Sequence, residues 1–120
     1  MKEVLIIESD TWLGDHFENI VQSGEFTVSR AANSYSAMDM ITDKVPAVIL
    51  MNLKLSSVNG IGLLHELQTY SDTAGVPIIV YADEEGIELE TLEPYGVKRV
   101  LIGATMKPAD VVAAVRGVLA

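Results

Sequence analysis

The sequence contains no cysteine, and it is poor in cationic residues. The missing cysteine excludes a disulfide framework, a thiolate metal site and a cysteine nucleophile. The 8 Lys and Arg residues stand against 17 Asp and Glu residues, which gives a formal net charge of −9. This excess of negative charge argues against electrostatic binding to nucleic acid or to an anionic membrane surface. We therefore expect partners to be proteins.

Long hydrophobic runs are also missing. The apolar run at residues 4–7 is too short for a signal peptide and far too short to span a membrane. We therefore expect a soluble, cytoplasmic protein. The 120 residues, 49% of them hydrophobic, are enough to bury the core of one compact domain, and we expect residues 1–120 to form it.

Five short runs rich in Val and Ile alternate with longer segments of helical period. The runs are residues 4–7, 26–28, 47–51, 78–81 and 99–102. This alternation predicts an α/β fold of (βα)5 type, a doubly wound five-stranded parallel sheet with the short second run at an edge. Ligands of such sheets bind at the carboxyl ends of the strands. The residues at those ends include Glu8, Ser9, Asp10, Asn52, Ala82 and Gly103.

Apolar residues at helical spacing predict the sides of the helices that face the core. In the third helix this pattern consists of Ile61, Leu64 and Leu67. The fourth helical segment, residues 83–93, is acidic and contains a glycine, so we expect its helix to be the least stable.

Three stretches of the chain resemble the receiver domain of two-component response regulators. They are residues 4–10, residues 46–55 followed by Asn59 and Gly60, and residues 76–80. The resemblance covers nearly the whole chain and implies the flavodoxin-like fold of that family. In the family, an acidic pair after the first strand and an Asp after the third bind Mg²⁺, and that Asp accepts a phosphoryl group. A Thr or Ser after the fourth strand and a Lys after the fifth bind the phosphoryl oxygens.

This sequence departs from the family at nearly every one of these positions. Glu8 matches the first acidic position, but Ser9 stands at the metal ligand, Asn52 at the nucleophile, Ala82 at the hydroxyl and Gly103 at the Lys. An amide lacks the charge needed for metal binding and for attack on phosphorus. We predict no catalytic residue, no cofactor, and Mg²⁺ binding that is lost or weak. We expect the Asn52 amide to hydrogen-bond Ser9 or nearby backbone.

Two local alternatives remain open at this pocket. Glu8 and Asp10 together could retain a weak divalent-cation site, although Asp10 is also a good N-cap for the first helix. Lys107 and Pro108 could be a displaced form of the family's Lys-Pro pair. We favour Pro108 as the start of the last helix, with Lys107 as a solvated neighbour.

Several residues outside the pocket are candidates for partner binding. Trp12, the only tryptophan, could anchor a partner or pack against the loop after the third strand. Receivers commonly carry an acidic pair where this chain has Lys98 and Arg99, and an aromatic residue where it has Val100. Glu88 lies in the acidic segment that faces these cations. The charge pattern of the usual receiver dimer is therefore inverted.

These observations predict a pseudo-receiver rather than an enzyme. We expect a phosphorylation-independent interaction module in bacterial signalling, present as a monomer or a weak homodimer, whose partner is a signalling or output domain. One alternative is an atypical receiver in a phosphorelay that is phosphorylated elsewhere, at Asp10 or a loop serine. Another is a small-ligand module that uses the uncharged pocket at the strand ends.

Overall fold

The computed structural model describes residues 2–54, 60–83, 88–103 and 106–119. Strands and helices alternate along the chain. They are β1 (Glu3–Ile7), α1 (Thr11–Ser23), β2 (Thr27–Ala31), α2 (Ser34–Asp43), β3 (Val48–Asn52), α3 (Gly60–Thr69), β4 (Ile78–Ala82), α4 (Leu89–Leu92), a 3₁₀ turn (Glu93–Tyr95), β5 (Val97–Ile102) and α5 (Pro108–Leu119). The strands form one parallel sheet in the order β2-β1-β3-β4-β5. The predicted doubly wound sheet is confirmed, and so is the edge position of the second strand.

The three inner strands are buried on both faces of the sheet. Successive side chains of a strand point to opposite faces, so a strand covered on both sides is apolar at every position. In β3, Ile49 and Met51 contribute to one hydrophobic cluster, with residues of α2 and α3. Val48 and Leu50 contribute to the other cluster, with residues of α1 and α5. The unbroken hydrophobic sequence of the inner strands is thus a consequence of their burial on both faces.

The side of α3 that faces the core differs from the prediction. Leu64 and Leu67 are buried as expected, but Leu63 is buried with them and Ile61 is 38% exposed. Ile61 is the second residue of the helix and lies at the carboxyl edge of the sheet, where the packed layer ends. Its helical spacing matches that of the buried leucines, but its position at the start of the helix leaves the side chain exposed.

The helix boundaries nearest the pocket follow the predicted signals. Asp10 precedes α1, and its Oδ1 accepts a hydrogen bond of 2.9 Å from the backbone N–H of Leu13. The N-cap prediction for Asp10 is therefore confirmed. α5 begins at Pro108, which confirms Pro108 as a helix start. Asn59 and the loop serines after β3 lie outside the described residues.

The helices of the described segments are short. The longest, α1, has 13 residues, and within the described ranges none is long and apolar enough to cross a membrane. α4 has only four residues, consistent with the weak helical signal of the acidic segment.

Candidate functional site

The carboxyl ends of β1, β3 and β4 bring three polar side chains together. β1 pairs with β3, and β3 pairs with β4 in a register that sets Asn52 opposite Tyr81. Glu8 follows the last residue of β1 directly. These side chains come from different parts of the chain, yet they meet because the ends of parallel strands share one edge of the sheet.

The Glu8 carboxylate is the centre of this cluster. Glu8 is only 4% exposed, and its two oxygens accept three hydrogen bonds from residues in the described part of the chain. Oε1 accepts one of 2.9 Å from Asn52 Nδ2 and one of 2.6 Å from the Tyr81 hydroxyl, and Oε2 accepts one of 3.0 Å from the backbone N–H of Asp10. A buried charge is costly unless hydrogen bonds replace its hydration, and these three donors supply that replacement.

Asn52 joins this carboxylate to the start of the next loop. Its Nδ2 faces Glu8, while its Oδ1 accepts a hydrogen bond of 2.9 Å from the backbone N–H of Lys54. The orientation of the amide follows from chemistry, because an ionised carboxylate only accepts and so requires the NH₂ group. The predicted bond to nearby backbone is present. The side-chain partner among the described residues is Glu8, where the sequence suggested Ser9.

Tyr81 was not anticipated as a member of the site. Its ring lies against Phe17, with centroids 4.3 Å apart, and its hydroxyl reaches Glu8. Burial raises the pKa of the Tyr81 phenol strongly, and the hydrogen bond to Glu8 raises it further. A tyrosine inside an otherwise apolar strand was the available signal, because a buried phenol normally requires a hydrogen-bond partner.

Three further family positions are occupied by Ser9, Ala82 and Gly103. Ala82 is 3% exposed and packs in the hydrophobic core. The backbone N–H of Gly103 donates a hydrogen bond of 2.7 Å to the Ala82 carbonyl, so these two residues adjoin each other at the ends of β4 and β5. Ser9 is half-buried next to Glu8. Where receivers have a hydroxyl and an ammonium, Ala82 and Gly103 present a methyl group and a hydrogen atom.

The side chains of this pocket are poorly suited to serve as ligands of Mg²⁺. This ion prefers six hard oxygen ligands in octahedral array, usually including carboxylates. Here both Glu8 oxygens are engaged by N–H and O–H donors, Asn52 turns its NH₂ toward the same point, and the Asp10 carboxylate caps α1. Among the residues described, no three His, Cys, Asp or Glu side chains are grouped in a way that could hold a metal ion.

The predicted partner-binding residues lie in or beside three elements, α1, α4 and β5. Trp12 is 75% exposed near the carboxyl edge of the sheet and stacks on His16, with ring centroids 6.0 Å apart. Lys98 and Arg99 are exposed near the opposite, amino end of β5. Arg99 and Val100 line a cavity of about 250 Å³ between β5 and α5. Glu88 is exposed immediately before α4.

Comparison with known proteins places the chain in a family. Residues 4–116 match the response regulator receiver domain family. The chain is 25% identical over 100 residues to the polar-differentiation response regulator DivK of Brucella anthropi, covering 78% of this chain and 81% of that protein. The structure superposes on the chemotaxis response regulator CheY4 of Vibrio cholerae with a TM-score of 0.88 at 18% identity over 99% of each chain. It superposes on NtrX of Brucella abortus with a TM-score of 0.84 at 17% identity, covering 98% of this chain and 26% of NtrX. The chain belongs to the response regulator receiver domain family, the receivers of two-component signalling.

Proposed function

We propose that this receiver is a pseudo-receiver, which acts in the cytoplasm as a phosphorylation-independent protein interaction module and not as an enzyme. Its partner is a protein, such as a signalling or output domain. One observation carries the proposal: the Glu8 carboxylate is hydrogen-bonded to Asn52, Tyr81 and the Asp10 backbone. The pocket is thereby stabilised by internal hydrogen bonds.

The chemistry of Asn52 supports the loss of phosphoryl transfer. An acyl phosphate forms when a carboxylate oxygen attacks phosphorus, and a neutral amide has no comparable nucleophile. The charge that develops on a transferred phosphoryl group also requires cations or hydrogen-bond donors. Ala82 and Gly103 have no polar side-chain atom to provide either.

The hydrogen bonds of the Glu8 carboxylate also disfavour the binding of a metal ion in the pocket. A cation entering the pocket would take Glu8 oxygens from their present donors, and it would leave the half-buried Asn52 amide and the buried Tyr81 hydroxyl without that acceptor. Leaving a buried polar group unpaired costs about 1–3 kcal/mol. Metal binding would therefore have to offset these losses without a second carboxylate at position 52.

Exposed side chains support binding through the surface. Trp12 is 75% exposed, which favours a role as a partner anchor over one in packing. The exposed cations of β5 provide a second recognition feature on a chain of net charge −9. Electrostatic complementarity of this kind determines which partner is accepted.

The test is a titration of the isotopically labelled protein with Mg²⁺ and beryllofluoride, followed by amide NMR. The proposal predicts no saturable shifts at Glu8, Asn52 or Lys54. Saturable shifts there at physiological Mg²⁺ would contradict it. Intact mass measured after exposure to acetyl phosphate or a cognate histidine kinase tests the alternative of phosphorylation at another residue. A gain of one phosphoryl group would exclude the proposed function.

A further inference from the structure

The described surface contains an open groove between α2 and α3. The part near the start of α2 has a volume of about 270 Å³, and the part near the end of α3 has a volume of about 410 Å³. The two parts share Met38 and Glu66. The residues that line it include Tyr35, Met38, Asp39, Glu66, Tyr70 and Asp72. The groove thus extends from the first turn of α2 to the C-terminal end of α3.

Exposed aromatic side chains lie at both ends of the groove. Tyr35 is 81% exposed and Tyr70 is 49% exposed, while Met38 between them packs partly on the core. Tyrosine and methionine are enriched in protein interfaces, because each offers a large contact area to a partner. A partner could bury these apolar groups without disturbing the core beneath them.

The charges of the groove have one sign. Asp39, Glu66 and Asp72 line it and are exposed, and no Lys or Arg is among the residues that line it. These carboxylates belong to no metal-holding group in the described parts of the chain. Separate negative charges along a groove that also exposes tyrosine and methionine side chains match a ligand that carries several separate cations beside apolar groups.

We propose that the α2–α3 groove binds a basic amphipathic helix of a partner protein. A helix in a groove between two helices places apolar residues on the floor and cationic residues toward the rim carboxylates. A second copy of this chain is a poor occupant, because each copy carries a net charge of −9. This inference rests on the proposed interaction function and adds the chemistry of the partner.

The experiment uses a synthetic helix-forming peptide with a leucine stripe flanked by arginines. A second peptide has glutamates in place of the arginines. Amide NMR of the labelled protein maps the binding site, and fluorescence anisotropy gives the affinity without Mg²⁺ or beryllofluoride. We expect the chemical-shift changes to centre on α2 and α3. The arginine peptide should bind and the glutamate peptide should not, and the affinity of the arginine peptide should fall as the ionic strength rises.

Two variants and two controls identify the site. Glu66→Lys, which reverses a central charge of the groove, and Tyr35→Ala should each weaken binding about tenfold. Tyr35→Phe keeps the ring and should retain most of the affinity. Glu90→Lys is the matched charge control, since Glu90 is exposed in α4 outside the groove, and it should bind like the unmodified protein.

Other outcomes would contradict the groove proposal alone or both proposals. Shifts centred on Trp12 or β5, an equal effect of Glu90→Lys and Glu66→Lys, self-association on adding peptide, or no binding would each overturn the groove proposal. All four leave the pseudo-receiver function standing. Binding that appears only with Mg²⁺ and beryllofluoride would overturn both proposals.

Discussion

Asn52 donates a hydrogen bond of 2.9 Å from its side-chain amide to Glu8, across the boundary between β3 and β1. In a phosphorylatable receiver, two carboxylates at these positions would repel each other and would require a cation between them. The amide replaces that repulsion with an attractive contact. Under the proposed function, an asparagine at position 52 therefore lacks the nucleophile and also removes the electrostatic reason for binding a metal.

Asn52→Asp should destabilise the protein at neutral pH. The variant replaces an N–H···O bond by two facing carboxylates, and we expect a loss of about 2 kcal/mol in the free energy of unfolding. Urea denaturation at neutral pH measures this loss. Asn19→Asp, on an exposed position of α1, is the charge-matched control. Equal stability of the two variants would contradict a contribution from the Glu8–Asn52 bond.

Asn52→Asp alone should not restore phosphorylation. Ser9, Ala82 and Gly103 still leave the pocket without the second metal ligand, the hydroxyl and the cation. Incubation with acetyl phosphate and Mg²⁺, followed by intact mass measurement, should show the unmodified mass. Appearance of a phosphoryl adduct would show that the missing carboxylate was the only barrier.

Tyr81→Phe should cost about 2 kcal/mol of stability. The change keeps the ring that packs on Phe17 but removes the hydroxyl that donates to Glu8 at 2.6 Å. The buried carboxylate then lacks one of its three donors. Urea denaturation of Tyr81→Phe and of Tyr35→Phe isolates this effect, because Tyr35 is 81% exposed and has no part in the cluster. A similar small change in both variants would refute the role of the hydroxyl.

The Tyr81–Glu8 bond should also make stability depend on alkaline pH. Burial and Glu8 raise the pKa of Tyr81 above the ordinary value of 10.0, so the folded protein keeps a proton that the unfolded chain releases. This contribution is fully present below pH 10 and is lost as the pH rises toward the pKa of the folded state. Stability of the unmodified protein should therefore decline more steeply above about pH 10 than that of Tyr81→Phe. Denaturation curves at several alkaline pH values compare the two slopes, and parallel slopes would count against the prediction.

Replacement by alanine should change the stability of the protein differently at two helical glycines. Nothing lies within 4 Å of a Cβ built on Gly117, so Gly117→Ala should stabilise α5 by about 1 kcal/mol. A Cβ on Gly14 would overlap the guanidinium of Arg30, which bonds Asp15 and the Thr11 carbonyl. Gly14→Ala should therefore give no gain or a loss.

The cause of that difference can be isolated with a double-mutant cycle. In an Arg30→Ala background the steric conflict disappears, and Gly14→Ala should then stabilise α1. Thermal unfolding of the four proteins of the cycle measures the coupling. Additive effects of the two changes would exclude Arg30 as the reason that α1 carries a glycine at this position.

Much of this protein can be predicted from short-range sequence patterns. The five apolar runs predicted the strands, because a strand covered on both faces needs apolar residues at successive positions. Asp10 and Pro108 predicted helix starts, because a cap or an N-terminal proline acts within its own first turn. The missing carboxylate at Asn52 was equally readable, since it is a property of one residue type.

Other features depended on distances that the chain itself does not specify. The bond between Tyr81 and Glu8 joins residues 73 positions apart, and it required the parallel register of β3 with β4 and a fixed direction for the tyrosine side chain. The exposure of Ile61 depended on how the first turn of α3 packs, and the α2–α3 groove depended on the spacing of two helices. The sequence alone therefore determined the strand pattern, the nearby caps and the presence of an amide in place of a carboxylate at position 52. Only the tertiary structure decided how the buried carboxylate is stabilised and which surface is left open, because both depend on contacts between elements that are distant in sequence.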